Sequence, residues 1–315
     1  MPPALLGLHH VTATVDGAQA DLDFCLDGLG LRLVKKTVNF DNHHVYHFYY
    51  GDERGTPGTI WTTFPYRGHG VPPGTEGTGQ ITTTSFSVPR GSLGAWRERL
   101  TARGVAVTSV EPRFGEESLV VLDPSGLTFE LVASPDDPRT PWLGGGVPSS
   151  AAIRGLHSVT MTIASPGPSI AFLEQHLGFT VVGQEGPRTR MAVNGDAPGH
   201  RLEIHHQPGG PRGRNGLGTV HHVAMAIATA EEQLALREAL LGAGVGVTEV
   251  RDRQYFQSIY FREPGGVLYE VATMQPGFAV DEPLASLGRD LKLPPWEEPH
   301  RRSIEAGLAQ VTYRA

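Results

Sequence analysis

Apolar and polar residues alternate in short segments of this chain, and each segment is followed by a helical pattern and then by further alternation. Four stretches of this kind begin at Leu8, Ile81, Leu156 and His221, and each runs for roughly 50 to 70 residues. A period of two indicates a half-buried strand, and the i, i+3, i+4, i+7 pattern between Leu93 and Leu100 indicates a helix packed on a sheet. Each stretch therefore predicts a βαβββ module.

The first module aligns with the third, and the second aligns with the fourth. The segment GLHHVT at 7–12 lies over GLHSVT at 155–160, and the same offset of 148 holds at the ends of both helices. The turn DPSG at 123–126 lies over EPGG at 263–266 at an offset of 140. These matches indicate an internal duplication.

The segment between the second and third modules, 134–154, is rich in Pro, Gly and Ser, as a linker would be. We predict an α+β fold of four βαβββ modules in two tandem domains, residues 1–140 and 150–280. A tail follows at 281–315, and its Pro-started segment with early Glu residues predicts a helix. The tail could cover the sheet or a partner subunit, so a homo-oligomer stays open.

The composition is that of a globular protein. Of the 315 residues, 39% are hydrophobic and 19% are charged, and this length fits two domains. The net charge is −7 with no dense run of Lys and Arg, so nucleic acid is not an expected partner. The chain shows no basic signal-peptide region and no run of roughly 20 apolar residues that would span a bilayer, so we expect a cytoplasmic protein without a membrane partner. The single cysteine, Cys25, falls among apolar helix positions and is interpreted as a buried, inert thiol.

Differences between the duplicated modules identify candidate metal ligands. The first strand of module one holds His10, the first strand of module four holds His222, and the last strand of module four holds Glu270 between apolar neighbours. A carboxylate among apolar side chains needs a partner. If modules one and four pack together, these three side chains converge in one concave site. We call the concave site formed by a pair of modules a cup.

The other two modules lack this combination. At the matching positions the ungapped alignment gives Ser158 in module three, and Thr82 and Glu130 in module two. Both cups therefore retain the carboxylate, but only one retains the pair of histidines. We expect metal binding in the cup formed by modules one and four and not in the other.

Two imidazoles and one carboxylate on strands match the ligand set of non-haem Fe(II) sites, which leave positions open for substrate and O2. Zn(II) or Mn(II) could occupy the same ligands. The last strand of module one, 59–64, has no His, Asp or Glu that could serve as a fourth ligand. This favours three-ligand chemistry.

The histidines at 43–47 and at 205–206 receive a structural interpretation, because strand histidines more often hydrogen-bond carbonyl groups than bind metal. In NFDNHHVYHFYYGD, alternation lets His47 and Tyr49 share one face and so line a pocket, but a structural role is favoured. The same interpretation applies to the two histidines at 205–206, which lie in the half without the ligands.

Four motifs occur together in this chain: LHHVT at 8–12, KKTVNFDN followed by YHFYYGD, VHHVAM at 220–225, and RDRQYFQSIYFREPGGVLYE at 251–270. With these motifs the whole chain resembles the vicinal oxygen chelate superfamily, and within it the ring-cleaving dioxygenases that act on para-hydroquinones. The resemblance implies the vicinal oxygen chelate fold, with Fe(II) bound by His10, His222 and Glu270. The segment 42–44 departs from the pattern, since relatives often have a shorter acidic and proline-containing stretch there, which leaves substrate choice open.

The resemblance also implies a set of residues beside the metal: Tyr260, Arg253, Thr12, His9 and His221. Strand alternation places Thr12 on the face of His10, whereas the two histidines of this set need a bulge or a twist to reach the pocket. A hairpin across the turn at 263–266 can carry Tyr260 back beside Glu270.

The expected activity is that of an Fe(II)-dependent, extradiol-type dioxygenase that opens a hydroquinone-like aromatic diol with O2. One alternative is a glyoxalase-like, metal-dependent lyase or isomerase, from which O2 consumption separates it. Another is a non-enzymatic drug-binding protein of the same fold, which would have no need for the three ligands to lie together.

Overall fold

The computed structural model describes residues 4–135 and 137–313, which form two eight-stranded sheets and five α-helices. In chain order the strands are β1 (Gly7–Val15), β2 (Arg32–Asn39), β3 (Asn42–Gly51), β4 (Ile60–Pro65), β5 (Gln80–Pro89), β6 (Val107–Ser109), β7 (Ser118–Leu122), β8 (Thr128–Ser134), β9 (Gly155–Ile163), β10 (Thr180–Glu185), β11 (Arg188–Ala192), β12 (Arg201–His206), β13 (Thr219–Ile227), β14 (Arg251–Asp252), β15 (Gln257–Arg262) and β16 (Leu268–Thr273). The α-helices are α1 (Ala18–Asp23), α2 (Leu93–Thr101), α3 (Pro166–Leu177), α4 (Ala230–Gly242) and α5 (Arg301–Gly307). None of the helices in this part of the chain has both the length and the apolar character that crossing a bilayer requires.

Each sheet combines one module from each half of the chain. The strand order is β14-β15-β16-β13-β1-β4-β3-β2 in the first sheet and β10-β11-β12-β9-β5-β8-β7-β6 in the second. The first sheet thus joins modules one and four, and the second joins modules two and three. In both sheets the first strands of the two modules meet antiparallel, β1 with β13 and β5 with β9. The predicted α+β fold of four βαβββ modules is confirmed.

Local sequence determines where the module helices begin and end. Helix α4 begins after Thr229, whose hydroxyl accepts a hydrogen bond from a backbone N–H of the first turn. Helix α3 begins at Pro166 and ends at Gly178, which has the left-handed conformation that glycine adopts without strain. Helix α4 packs on β13, β15 and β16 and buries Leu236 and Leu240.

The strand register corrects one position of the ungapped alignment. Thr12 of β1 lies opposite His222, and the equivalent Thr160 of β9 lies opposite Thr83. Thr83, and not Thr82, is therefore the counterpart of His222. Between modules two and four, the offset of 140 is right for the last strands, but along the first strands, β5 and β13, it is 139. The second module is one residue shorter between its first strand and the turn at 123–126.

The segment predicted as a linker connects β8 to β9 and packs against the body of the protein. The indole N–H of Trp96 donates to the carbonyl of Ala151 at 2.8 Å, and Arg139 donates to the carbonyls of Gly58 and Leu156. Because each sheet contains strands of both halves, the boundaries of the two domains stay a prediction.

The tail covers the edge of the first sheet at β2. The Lys35 ammonium is buried and lies 2.6 Å from Asp281 and 2.9 Å from Glu282. Helix α5, which lies in the tail, buries Ile304 in a cluster with Val38. The tail thus shields an edge strand that would otherwise be open to pairing.

The single cysteine is buried and free, in a π-helical turn, Phe24–Gly28, that follows α1. Burial, followed by the nearby carboxylate of Asp21, raises the pKa of the Cys25 thiol well above its usual range. A protonated, buried thiol is a poor nucleophile. Cys25 is therefore a packing residue.

Candidate metal centre and active-site cavity

The structure brings His10, His222 and Glu270 together on one face of the first sheet. The Oε2 atom of Glu270 lies 2.8 Å from Nε2 of His222 and 3.3 Å from Nε2 of His10. The two Nε2 atoms are 3.4 Å apart. All three residues are at least 95% buried, so their donor atoms face one small, enclosed space.

Strand pairing explains this convergence. His10 of β1 and Glu270 of β16 both lie directly opposite Ala224 of the intervening β13, and paired residues project from the same face. His222 precedes Ala224 by two residues and so shares that face. The small side chain of Ala224 leaves the space above β13 free for the three longer side chains.

Each ligand histidine follows a histidine that lies at an irregularity of the β1–β13 pairing. On β1, Leu8 and His10 pair with consecutive residues of β13, so His9 is an extra residue. On β13, Val220 and His222 pair with consecutive residues of β1, so His221 is an extra residue. Such bulges redirect the side chain of the extra residue. Within each His-His pair, the two Nδ1 atoms consequently lie 2.8 Å apart.

These pairs fix which ring nitrogen of each ligand faces the centre. Two imidazole nitrogens at hydrogen-bond distance need one N–H between them, and the proton on Nδ1 of the second histidine leaves its Nε2 lone pair free. Burial, reinforced by His10, lowers the pKa of His9 to about 3, and burial with His222 does the same for His221. The first histidine of each pair is therefore a neutral group whose Nδ1 accepts a hydrogen bond from that N–H.

Electrostatics at the centre suit a bound cation. Burial opposes ionisation of Glu270, but His10 and His222 outweigh it and lower the pKa of this carboxyl well below its usual range. Oε1 of Glu270 accepts a hydrogen bond from the Ser258 hydroxyl, whereas Oε2 is buried without a hydrogen-bond partner among the described residues. With both histidines protonated on Nδ1, three lone pairs face one point. This arrangement of donors within 4.8 Å of one another fits a divalent metal ion.

Tyr260 and Arg253 lie beside this centre. Tyr260 of β15 is paired directly with Glu270, and its ring is 5.8 Å from that of His222. Burial raises the pKa of Tyr260 above its usual value, so the phenol stays protonated. Its oxygen accepts a hydrogen bond from Nε of Arg253 at 3.0 Å, and the same guanidinium lies 3.1 Å from the Asp41 carboxylate.

Thr12 lies behind the cavity wall and does not line it. Its hydroxyl accepts a hydrogen bond from Thr62 at 2.8 Å and is fully buried. His221, by contrast, lines the cavity because its bulge turns the ring toward it. The expected order, with Thr12 nearer the pocket than His221, is therefore wrong, since strand alternation does not hold across a bulge.

A cavity of about 230 Å³ opens above the three candidate ligands. Aromatic side chains form most of its wall, and polar groups form the rest: Thr14, Asn39, Phe40, Asp41, His47, Tyr49, Phe64, Tyr66, His221, Arg253, Phe256 and Tyr260. His47 and Tyr49 belong to this wall, so the structural interpretation of His47 was wrong. The shared face of the two residues was visible in the sequence, but Asp41 and Phe256 carried no comparable signal.

The other histidines with a structural interpretation lie outside the lining of this cavity. His43 is 3.1 Å from Glu297 of the tail, and its ring is 4.4 Å from that of His44. His205 and His206 end β12 in the second sheet. Their structural interpretation is consistent with these positions.

The second sheet balances its equivalent carboxylate with an arginine. Arg113 donates to Glu130 through Nη1 and Nη2, with Nη1 2.6 Å from Oε1, and its Nε donates to Glu203 at 3.0 Å. At the offset of 140, Arg113 is the counterpart of Arg253. The positive charge facing the buried carboxylate of this cup therefore comes from the protein itself.

The counterparts of the two ligand histidines in this cup are hydroxyl residues. Ser158 takes the place of His10, and His157 contacts its hydroxyl through Nδ1 at 3.0 Å, much as His9 contacts His10. Thr83 takes the place of His222. The described part of the second sheet thus retains the bulged geometry but not the metal-ligating donors.

Known proteins are similar to this chain in both of its halves. Residues 7–131 and 155–271 match the family described as "Glyoxalase/Bleomycin resistance protein/Dioxygenase superfamily". The chain belongs to this superfamily. The resemblance to the vicinal oxygen chelate proteins is thereby confirmed.

Proteins of the superfamily that match almost the whole chain include ring-cleaving enzymes. MhqO of Bacillus subtilis (strain 168), whose name gives ring-cleaving dioxygenase as a provisional activity, is 43% identical over 314 residues, covering 100% of this chain and 99% of its own. The chlorohydroquinone/hydroquinone 1,2-dioxygenase of Sphingobium indicum is 38% identical, covering 94% of this chain and 93% of its own. A crystal structure of a provisionally assigned dioxygenase from Bacillus subtilis subsp. subtilis str. 168 is 42% identical, covers 99% of both chains and has a TM-score of 0.94.

Membership of the superfamily determines the fold but not the reaction, because one fold supports several chemistries. The residues of the cavity therefore determine the reaction.

Proposed function

We propose that this protein is an Fe(II)-dependent ring-cleaving dioxygenase that opens a hydroquinone-like aromatic diol with O2. The observation that carries the proposal is the buried group of His10, His222 and Glu270 at the base of an aromatic cavity. The 38% identity to a hydroquinone 1,2-dioxygenase over nearly the whole chain supports the same substrate class.

Fe(II) fits the donor set, and Mn(II) or Zn(II) could occupy the same ligands in a purified sample. A bound Fe(II) supplies positive charge for a phenolate oxygen and one-electron chemistry for O2. The three protein ligands leave room for both substrates. The overall reaction adds both atoms of O2 and breaks the ring bond between the hydroxylated carbon and its neighbour. For hydroquinone this leaves a carboxylic acid at the hydroxylated carbon and an aldehyde at its neighbour, and the second hydroxyl becomes an enol or its keto form within the opened chain.

Tyr260 and Arg253 are assigned to the substrate oxygen. Because the phenol oxygen of Tyr260 already accepts from Arg253, its own proton is free to donate into the cavity. Arg253 adds a fixed positive charge that favours negative charge developing on substrate or oxygen. Asp41 holds the guanidinium in this orientation from the other side.

His9, His221 and Thr12 are assigned supporting roles. His9 and His221 accept a hydrogen bond from Nδ1 of the ligand histidines and so orient the lone pairs that face the metal. His221 also contributes to the cavity wall. Thr12 belongs to a hydrogen-bonded row with Thr62 and His47. The cytoplasmic location and the oligomeric state stay predictions.

The two alternatives fit the site less well. A glyoxalase-like lyase or isomerase would normally place a fourth protein ligand beside the metal, whereas the group found in the described residues has three members. A drug-binding protein that only sequesters its ligand would have no use for three convergent, buried donor groups. Oxygen consumption and metal content separate these cases from a dioxygenase.

The test is an oxygen-electrode assay of anaerobically purified protein reloaded with Fe(II), with hydroquinone, methylhydroquinone and catechol as substrates. We expect equimolar uptake of O2 with the hydroquinones, and product labelled at both new oxygen atoms when ¹⁸O2 is supplied. The same protein loaded with Zn(II) serves as the control and should consume no O2. Absence of uptake with every diol, or faster uptake with catechol than with hydroquinone, would contradict the proposal.

A further inference from the structure

His47 lies on the far wall of the cavity from Glu270. It belongs to β3, and the strand order β13-β1-β4-β3 puts two strand intervals between β3 and β1. Neighbouring strands are about 4.8 Å apart, so His47 projects from a strand about 10 Å from the one that holds His10. His47 and the three candidate metal ligands line the same cavity, so a ring bound at the metal centre lies in the space that His47 also faces.

Contacts on both sides hold the imidazole of His47 in place. Its ring centre lies 4.0 Å from that of Tyr49 and 4.3 Å from that of Phe64. Its Nε2 atom lies 2.9 Å from the hydroxyl of Thr62. This hydrogen bond and the two aromatic neighbours leave the ring little freedom to rotate.

The hydrogen bonds also determine the tautomer of this ring. Thr62 donates its single hydroxyl proton to Thr12, so toward His47 it can only accept. The proton of the imidazole is therefore on Nε2, and Nδ1 is an acceptor. Among the described residues, the bond to Thr62 is the hydrogen bond that His47 makes, which leaves Nδ1 available to a molecule in the cavity.

We propose that Nδ1 of His47 accepts a hydrogen bond from the diol hydroxyl that does not contact the metal, and thereby selects a para-diol. The proposal rests on the proposed function, which puts the first hydroxyl beside His10, His222 and Glu270. In a para-diol the second hydroxyl points away from the first along the ring axis, toward the opposite wall. In an ortho-diol both hydroxyls lie on the metal side, and Nδ1 would face only a C–H edge.

Electrostatics support an acceptor role for His47. Burial, followed by the proximity of His10 and Arg253, lowers the pKa of His47 well below its usual range, so the ring is neutral. A protonated imidazole would have no free lone pair for a hydroxyl donor. A neutral acceptor also leaves the proton on the second hydroxyl.

The test compares two ligands that differ only in this hydroxyl, hydroquinone and 4-methylphenol. Their affinities are measured by calorimetry under anaerobic conditions, with Fe(II) loaded and without turnover. We expect wild-type protein to prefer hydroquinone by about tenfold or more, because 4-methylphenol leaves a cavity acceptor without a donor. His47→Phe should abolish this preference, whereas His47→Asn should retain most of it, because its Oδ1 takes the position of Nδ1.

His44→Phe is the matched control, since His44 lies on the same strand with its side chain exposed and outside the cavity. It should keep the wild-type preference. All variants are checked for iron content and near-ultraviolet circular dichroism, and their KM for hydroquinone should rise in His47→Phe with a smaller change in kcat.

Equal affinity of wild-type protein for the two ligands, or an unchanged preference in folded, iron-loaded His47→Phe, would overturn the role of His47. Failure of the proposed function gives a different result, namely no O2 uptake by wild-type protein with any diol. The binding preference is measured without O2, so it decides the role of His47 in either case.

Discussion

Tyr260 lies directly opposite Glu270 in the antiparallel pairing of β15 and β16, on the same face of the sheet. The hairpin that joins these strands therefore supplies one candidate metal ligand and one phenol donor to the same cavity. Because the backbone fixes both positions, the phenol can act on substrate without occupying a coordination position.

Replacing Tyr260 with Phe should lower turnover and leave the iron content unchanged. The ring and its packing are kept, and only the hydroxyl that faces the substrate is lost. Removing such a donor typically costs about 2 to 4 kcal/mol of barrier, or roughly 30- to 1000-fold in rate. Iron content and kcat with saturating hydroquinone are measured on one preparation. Wild-type turnover would make Tyr260 a packing residue, and loss of iron would mean that it supports the ligands.

Replacing any one of His10, His222 and Glu270 with Ala should remove most of the bound iron and the activity. Each contributes one of three donors at a shared point, and two donors hold Fe(II) weakly. The matched control is Glu130→Gln, which changes the equivalent carboxylate in the second sheet and should leave iron unchanged. Metal is measured by mass spectrometry after anaerobic reconstitution. Full iron occupancy in His222→Ala would refute the ligand assignment.

Replacing Arg113 with Ala should destabilise the protein without removing iron. The substitution leaves Glu130 and Glu203 buried without their shared guanidinium, and breaking such a buried pair costs about 3 to 5 kcal/mol. The control is Arg97→Ala in α2, where the side chain is exposed. Urea unfolding measures both free energies. Equal stability of the two variants would show that the ion pairs of the second sheet contribute little.

The ion pairs of Glu116 should make the free energy of unfolding depend on pH in the acid range. Burial opposes ionisation of this residue, but His157, Arg190 and Arg201 outweigh it and lower its pKa to about 2 from 4.5. A carboxyl with a depressed pKa stabilises the fold fully above its unfolded value, and the contribution is lost as the pH falls toward the folded value.

The free-energy difference between wild-type protein and Glu116→Gln should therefore be constant above pH 4.5 and shrink as the pH falls toward 2. Urea unfolding at a series of pH values gives this difference directly. A difference that grows on acidification would reverse the sign and exclude the stabilising role of Glu116.

The sequence by itself determined the repeat and the positions where its copies differ. Period-two and helical patterns are local properties, so the four modules were visible without coordinates. The comparison of His10 with Ser158, and of Glu270 with Glu130, then separated the two cups. Tyr260 could be placed beside Glu270 because a short hairpin leaves little choice of register.

Only the tertiary structure decided the partners that are distant in the chain. The bulges at His9 and His221 depend on which strand lies opposite. Strand alternation alone therefore predicted, wrongly, that Thr12 lies nearer the cavity than His221. His47 became part of the cavity because β4 carries Thr62 between β3 and β1, and Arg113 became the partner of Glu203 because β12 and β8 belong to one sheet. These relationships arise from packing between modules, and a pattern within one module does not contain them.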